Sequence, residues 1–322
     1  MYKREEMVFI IFMITSVLFL NNSCVPKIQL FGCIEGDCKS GLGTWLESSG
    51  NKYIGNFRDG YRSGKGTLLY PDGEKWEGNW KENKKWDGYG VIKNVWLRYK
   101  GRYKNGKWHG NGEYQLFNWP INDRYIGEWE NGKMHGKGKY IFASGSEYDG
   151  EWKNGKMDGK GKLAHSSGSI YEGNFKEGMF NGFGSYTSKE GYNYIGNFNN
   201  DLIEGIGSEK QRGGLEYSGN FYQGKKHGIG KIISKNGTTY NGSWYKGKKD
   251  GFGVESLPNG TKYIGEWRKG YKNGRGGVRK SNGNSIYGIW IDGKFEIVSN
   301  QDEISLFLRN KYSEFIRFDF NL

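Results

Sequence analysis

The chain has 322 residues, a formal net charge of +13 and a mean hydropathy of −0.83, with 55 glycines, four prolines and 16% aromatic residues. An ordinary domain of this length carries more aliphatic core. Burial must come from rings, which excludes a conventional aliphatic-cored globule.

Lys3 and Arg4 precede an uncharged, mostly apolar stretch from Met7 to Leu20. That stretch is too short to span a bilayer comfortably, so residues 1–23 read as a signal peptide. Polar Asn21-Asn22-Ser23 leads to Cys24, and a small residue before cysteine after such a stretch resembles the lipobox of bacterial lipoproteins. The resemblance implies that Cys24 is the lipidated first residue of a mature protein anchored in the bacterial cell envelope. Asn21 stands where an aliphatic residue is usual, and Glu5 and Glu6 offset the basic pair. Ordinary secretion and an uncleaved anchor therefore stay open.

Residues 24–52 hold Cys33 and Cys38. With Cys24 taking lipid, these two are left as a pair, and an exported chain sits where disulfides persist. A structural disulfide is expected; zinc would need two further ligands near by.

From Tyr53 one phrase recurs: Tyr53-x-Gly55-x-Phe57, then Gly60, then Gly64-x-Gly66. Its first column runs Tyr53, Trp76, Tyr99, Tyr125, Tyr148, Tyr171, Tyr194, Tyr217, Tyr240 and Tyr263, in steps of 23 except for 26 between Tyr99 and Tyr125. The column four residues on is aromatic in every copy, from Phe57 to Trp290. Residues i, i+2 and i+4 share one face of a strand, so each copy sets two rings beside a bare glycine. A ring from a neighbouring strand is expected to lie in that gap. Asn131-Gly132 and Asn154-Gly155 after the first strand, and Asn236-Gly237 and Asn259-Gly260 after the second, are hairpin turn pairs. Asn83 and Asp201 replace the turn glycine, and one residue is added before Gly88, so looser turns are expected there within the same stack.

The pattern resembles the MORN repeat (membrane occupation and recognition nexus), whose consensus is Tyr-x-Gly-x-Trp-x-x-Gly-x-x-x-Gly-x-Gly. Tyr125, Gly127, Trp129, Gly132, Gly136 and Gly138 match it position for position, as do Tyr148, Gly150, Trp152, Gly155, Gly159 and Gly161. About ten full copies and two worn ones fit the period. The expected fold is all-β, an elongated array of β-hairpins forming one long twisted antiparallel sheet. With strands about 4.8 Å apart it would be on the order of 100 Å long. Residues 24–52 form a degenerate first repeat, 53–293 the array and 294–322 a C-terminal cap. In the cap, Ile304, Phe307, Leu308, Tyr312, Phe315 and Ile316 recur at helical spacing after Ser299 and Asp302. That spacing predicts an amphipathic helix from Asp302 to about Phe318, covering the open sheet edge; docking of a partner by the same helix stays open.

With a neutral leader and −1 from Lys294 onward, the +13 of the whole chain places +14 on the repeats. Lys84, Lys107, Lys133, Lys156, Lys225 and Lys248 each follow the first turn, and stacking would align them along one edge. Such a row could meet anionic phospholipid or acidic glycan; lysine at exposed turns and edges also discourages aggregation. The aromatics sit at positions the fold consumes, which argues against nucleic acid despite the basic charge.

Little points to catalysis. His109, His135 and His227 share a slot that other copies fill with Ser63, Asp158, Asn181, Glu204, Asp250 or Asn273, as a turn position would allow. The rival is a metal or acid/base ladder from His109, His135 and Asp158. Gly-x-Gly lacks the following helix of a phosphate loop, and no cofactor is implied. Resemblance to the family implies a non-catalytic scaffold binding a partner protein or its own copy, with a surface binder of anionic lipid or glycan as the alternative.

Overall fold

The computed structural model describes residues 31–117, 122–296 and 300–316; the leader with Cys24, Ser299 and Phe318 lie outside the described residues. Among those described, twenty-four strands from β1 (Gly32–Gly36) to β24 (Lys294–Glu296) form one antiparallel sheet. Each strand pairs with its neighbours in sequence, beginning with β1 on β2 (Leu42–Leu46) and ending with β23 (Ser285–Ile291) on β24. The sheet therefore runs on past residue 293 into the segment assigned to the cap.

One repeat shows how the sequence makes the hairpin. β11 (Glu147–Lys153) turns through Asn154 and Gly155 into β12 (Lys156–Ala164). Both turn residues have positive φ, 52° and 84°, the type I′ geometry whose twist matches the flanking strands. Successive turns are bonded to one another, since the Gly155 N–H donates to Met134 O and the Gly178 N–H to Met157 O. Where Asn83 and Asp201 replace glycine the turns are not looser. Both residues hold positive φ, and their carboxamide and carboxylate oxygens accept from the Arg62 and Phe180 amides of the preceding repeat at 2.8 and 2.7 Å.

The glycine columns of adjacent strands face each other, as in Gly138 opposite Gly150 and Gly150 opposite Gly161. The ring in the gap comes from the glycine's own strand. A Cβ on Gly150 would lie 2.5 Å from Tyr148 Oη, and one on Gly161 would lie closer still to the same atom. The tyrosine leans along its strand because its hydroxyl has a partner there: Tyr148 Oη–H donates to Glu151 O at 2.9 Å. That carbonyl lacks a ladder partner because residues 158–160 bulge opposite Glu151, with Gly159 at φ +104°. The Glu151 side chain in turn accepts the Lys160 amide at 3.2 Å. Asn174 fastens the next bulge by donating to Phe183 O at 2.9 Å.

Edge-to-face contacts link the copies. Tyr148 meets Trp152 on its own strand, centroids 5.1 Å apart, and Phe175 of the next repeat at 4.9 Å. Tyrosines of the first column are essentially inaccessible, and Trp152 Nε1–H donates to Gly138 O at 2.9 Å.

The third copy breaks step. Within β6 (Lys84–Lys93), Gly88 faces Gly78 of β5 (Lys75–Lys81), whereas Gly90 faces Gly101 of β7 (Leu97–Lys104). The glycine row thus shifts by two residues. Here Trp76 takes the tyrosine place, has no hydroxyl for a freed carbonyl, and its strand pairs Asn79 with Asp87, which leaves a smaller bulge at Trp86. The buried rings fall into two clusters on either side of this seam, with Tyr103 packed against both.

The helix α1 (Gln301–Ile316) starts at Asn300, whose Oδ1 accepts from the Glu303 N–H at 3.3 Å. It packs across β23, β22 (Tyr271–Arg279) and β21 (Lys262–Arg268). Its Phe307 ring lies 3.4 Å under the Arg275 guanidinium, and Leu308 approaches Gly277. The helix thus covers a face of the last strands, the one opposite the rings.

Candidate functional site

Directly across from the second aromatic column lies a third column that the turn lysines conceal. It reads Arg62, Lys85, Trp108, Met134, Met157, Phe180, Ile203, Lys226, Lys249 and Lys272, each opposite a ring such as Phe57, Trp80 or Trp152. Cross-strand neighbours share a face, so these side chains lie on the rings. In the middle of the array they are apolar: Trp108 stacks on Tyr99 at 4.4 Å and Phe180 on Tyr171 at 3.7 Å. Toward both ends they are cations over the rings, with Arg62 4.9 Å from the Tyr53 centroid and Lys249 4.6 Å from that of Tyr240.

Most of these cations have a carboxylate. Arg62 meets Glu47 at 2.6 Å, Lys226 meets Glu209 at 2.5 Å, and Lys249 and Lys272 share Glu255 at 2.7 and 3.2 Å. Burial alone would raise the Glu255 pKa, but the hydrogen bonds and charge of Lys249 and Lys272 hold its carboxyl below the usual range. Glu47 is held down likewise, against burial, by Arg62 and Asn51.

Lys85 is the exception. Its Nζ donates to Tyr70 Oη at 3.5 Å, and among the described residues no carboxylate lies within ion-pair distance. The position 17 residues back, which gives Lys226 and Lys272 their glutamates, is Leu68. Its ammonium lies 5.6 to 6.0 Å from the centroids of Trp80, Trp76 and Tyr70. Burial, then the charge of Arg62, push its pKa down to about 8, with Glu47 pulling the other way. The side chain lines a hollow of about 580 Å³ at the seam between the two ring clusters.

The expected lysine row is found on the first-turn edge. Lys84, Lys107, Lys133 and Lys156 are exposed at the starts of consecutive second strands, as are Lys225 and Lys248. Met179 and Leu202 interrupt the row, and Lys156 lies 3.8 Å from Glu177. A disulfide joins Cys33 and Cys38 beside the first hairpin, with Cα atoms 5.9 Å apart. The histidine slot proves to be the bulge of the second strand. His135 and Asp158 line one hollow with Glu128 and Glu151, without His109. His135 Nε2 approaches Glu130 at 3.3 Å, and no group of three or more metal-ligating side chains forms among the described residues.

On the opposite face, the middle residue of Gly-x-Gly is apolar in four consecutive copies, Phe183, Ile206, Ile229 and Phe252. Elsewhere it is Leu42, Lys65, Tyr89, Asn111, Lys137, Lys160 or Arg275. Phe183 and Ile206 are 58% and 49% exposed, and Ile195 between them is 52% exposed. This row needed only a tabulation of the variable positions to be seen in the sequence.

No curated protein matches the chain. Solved structures with some similarity include a streptogramin B lyase, 13% identical, covering 82% of this chain and 86% of its own at a TM-score of 0.14. Another is a catalytically inactive virginiamycin B lyase from Staphylococcus aureus with quinupristin, 12% identical, covering 82% and 89% at the same TM-score of 0.14. Superposition that poor carries nothing over to this chain. The MORN repeat model matches residues 53–75, 99–119, 125–147, 148–170, 171–191, 194–214, 217–239, 240–262 and 263–285, well over half the chain, and the protein belongs to the MORN-repeat family.

Proposed function

We propose that this protein is a non-catalytic scaffold, held at the bacterial envelope through a lipid on Cys24, whose repeat face binds a partner protein or a second copy of itself. The observation that supports it is the apolar row of Phe183, Ile206, Ile229 and Phe252. Exposed apolar side chains recurring on one face of such an array, Phe183, Ile195 and Ile206 above all, mark an interaction site, and the same face already accepts a helix where α1 covers Gly277 and Arg275. Rings of the first column, by contrast, are consumed inside the sheet.

The test is site-specific photocrosslinking in native envelopes, with a benzophenone side chain at position 206 or, in the equivalent slot, at 137. The reading expects a discrete crosslinked protein or dimer from 206 and none from 137. Equal yields at both positions, or none from 206, would reject it. Mass spectrometry of the mature N-terminus should find an acylated Cys24 first.

The second reading is binding of anionic phospholipid or acidic glycan by the lysine edge, favoured by four consecutive exposed lysines from Lys84 to Lys156. Binding to anionic vesicles should then fall steeply with ionic strength and on replacing Lys107, Lys133 and Lys156 with glutamate. Insensitivity to both removes this alternative.

A further inference from the structure

The hollow around Lys85 is an open depression of the ring face, flanked laterally by side chains and turns. The Arg62–Glu47 bridge lies toward the N-terminal repeats, and Tyr103, whose Oη accepts from Trp108 Nε1 at 2.5 Å, lies toward the C-terminal ones. Lys93, bridging Asp72 and Glu74, closes the end near the second turns, and the turns at Asn83 and Asn105 close the other. With its ends blocked, such a depression suits a small molecule better than an extended chain. Its floor is aromatic and aliphatic, with Trp80, Tyr103, Tyr70 and Ile92, and its polar centre is one ammonium.

From this we infer that the seam hollow is a binding site for a small organic acid, a single carboxylate on a flat apolar body, with Lys85 as its counter-ion. The carboxylate gives Lys85, from the open side of the hollow, the counter-charge that Glu209 and Glu255 give Lys226, Lys249 and Lys272, since Leu68 fills the glutamate's own place. The apolar body lies against Trp80 and Tyr103 in the room left by the register step. Charge count selects the ligand: Arg62 and Lys93 already hold carboxylates, so one positive charge remains inside, which matches a carboxylate and leaves a phosphate dianion half uncompensated. Lys84 and Lys107 at the rim are solvated and attract only weakly through screening water. The site is independent of the scaffold reading, since it lies on the ring face and the apolar row on the other.

Calorimetric titration of the full chain at neutral pH compares naphthalene-2-carboxylate with naphthalene-2-carboxamide, two probes of one shape. The acid should bind at least about tenfold more tightly, a difference of about 1.4 kcal/mol. Lys85→Met should abolish that preference, and the paired-lysine variant Lys226→Met should retain it. Methionine occupies the same slot at Met134 and Met157, so Lys85→Met is expected to fold, and its melting curve checks this. Affinity for the acid should decline above pH of about 8 as the free amine loses its proton.

Equal binding of acid and amide, no binding of either, or a preference that survives Lys85→Met would overturn the assignment. Inorganic phosphate competing more strongly than acetate would overturn the choice of carboxylate. Binding of N-acetyl-Glu-Phe-amide without binding of the naphthoate would overturn the small-molecule ligand in favour of an acidic segment of a partner.

Discussion

The Tyr148 hydroxyl donates to the carbonyl of Glu151, three residues along its own strand, and the same geometry recurs from Tyr53 with Asn56 to Tyr263 with Glu266. Two features of the repeat thereby explain each other. The bulge frees a carbonyl, and the tyrosine satisfies it while laying its ring over two glycines.

Tyr148→Phe should therefore destabilise by about 1–2 kcal/mol, the cost of leaving a buried carbonyl unpaired. Tyr61→Phe, on an exposed side chain, should cost almost nothing. Chemical denaturation of both variants checks the account; equal losses would refute it.

Glycine plays two separable roles. A methyl group on Gly161 would collide with Tyr148 Oη, so Gly161→Ala should cost about 2–3 kcal/mol or more. Gly155 has open space and φ +84°, so Gly155→Ala should cost only about 1 kcal/mol. Melting temperatures that ranked the two in reverse would show that the ring does not occupy the gap.

Trp152→Ala removes a ring that touches Tyr148 and Tyr125 and deletes the donor to Gly138 O. A loss of about 3–5 kcal/mol is expected. Under about 1 kcal/mol, the second column would be exposed surface rather than core.

Burial pushes the phenols of Tyr53, Tyr171 and Tyr194 from 10 up to about 12. The unfolded chain then loses those protons first, so their contribution to stability is complete below pH 10 and disappears as pH rises toward about 12. Thermal melts across that range should show a progressive fall, with phenolate absorbance rising together with unfolding. Phenolate absorbance reaching its full unfolded-state amplitude near pH 10 while the chain stays folded would contradict it.

Lys85 has the opposite sign. Its amine is lowered from 10.5 to about 8, so the charged form opposes folding below about 8 and the penalty vanishes as pH rises to 10.5. Lys85→Met should raise stability at neutral pH by about 1–2 kcal/mol, and the gain should shrink toward pH 10.5. A gain that does not vary with pH would assign the effect to packing instead.

The hairpin, the two ring columns and the glycine row were legible because their period is strict and two-residue alternation fixes the faces. The ring's direction was not, since Tyr148 owes its lean to a carbonyl that only the bulge sets free. Lys85 lies behind Lys84 because turn position picks out the first lysine after the turn, as it does Lys225 ahead of Lys226, and alternation cannot be followed through β6. There the spacing from this slot to the glycine facing the next strand is five residues, Lys85 to Gly90, instead of four as from Met157 to Gly161. The role of Glu151 and Asn174 in clasping the bulge was hidden for the same reason, although Glu or Asn between glycine and ring recurs in Glu128, Asn197 and Glu266.

The two-residue step inside β6 also acts as a dislocation does in a crystal. In an array of near-identical hairpins, sliding one half past the other by a whole repeat recreates almost the same contacts, so misaligned chains compete with the correct one. A slip across β6 would put Gly88 or Gly90 against the wrong partner and lose the ring packing around Trp76. The irregular copy therefore gives the repeats before and after it an address, and pins how many hairpins lie on each side.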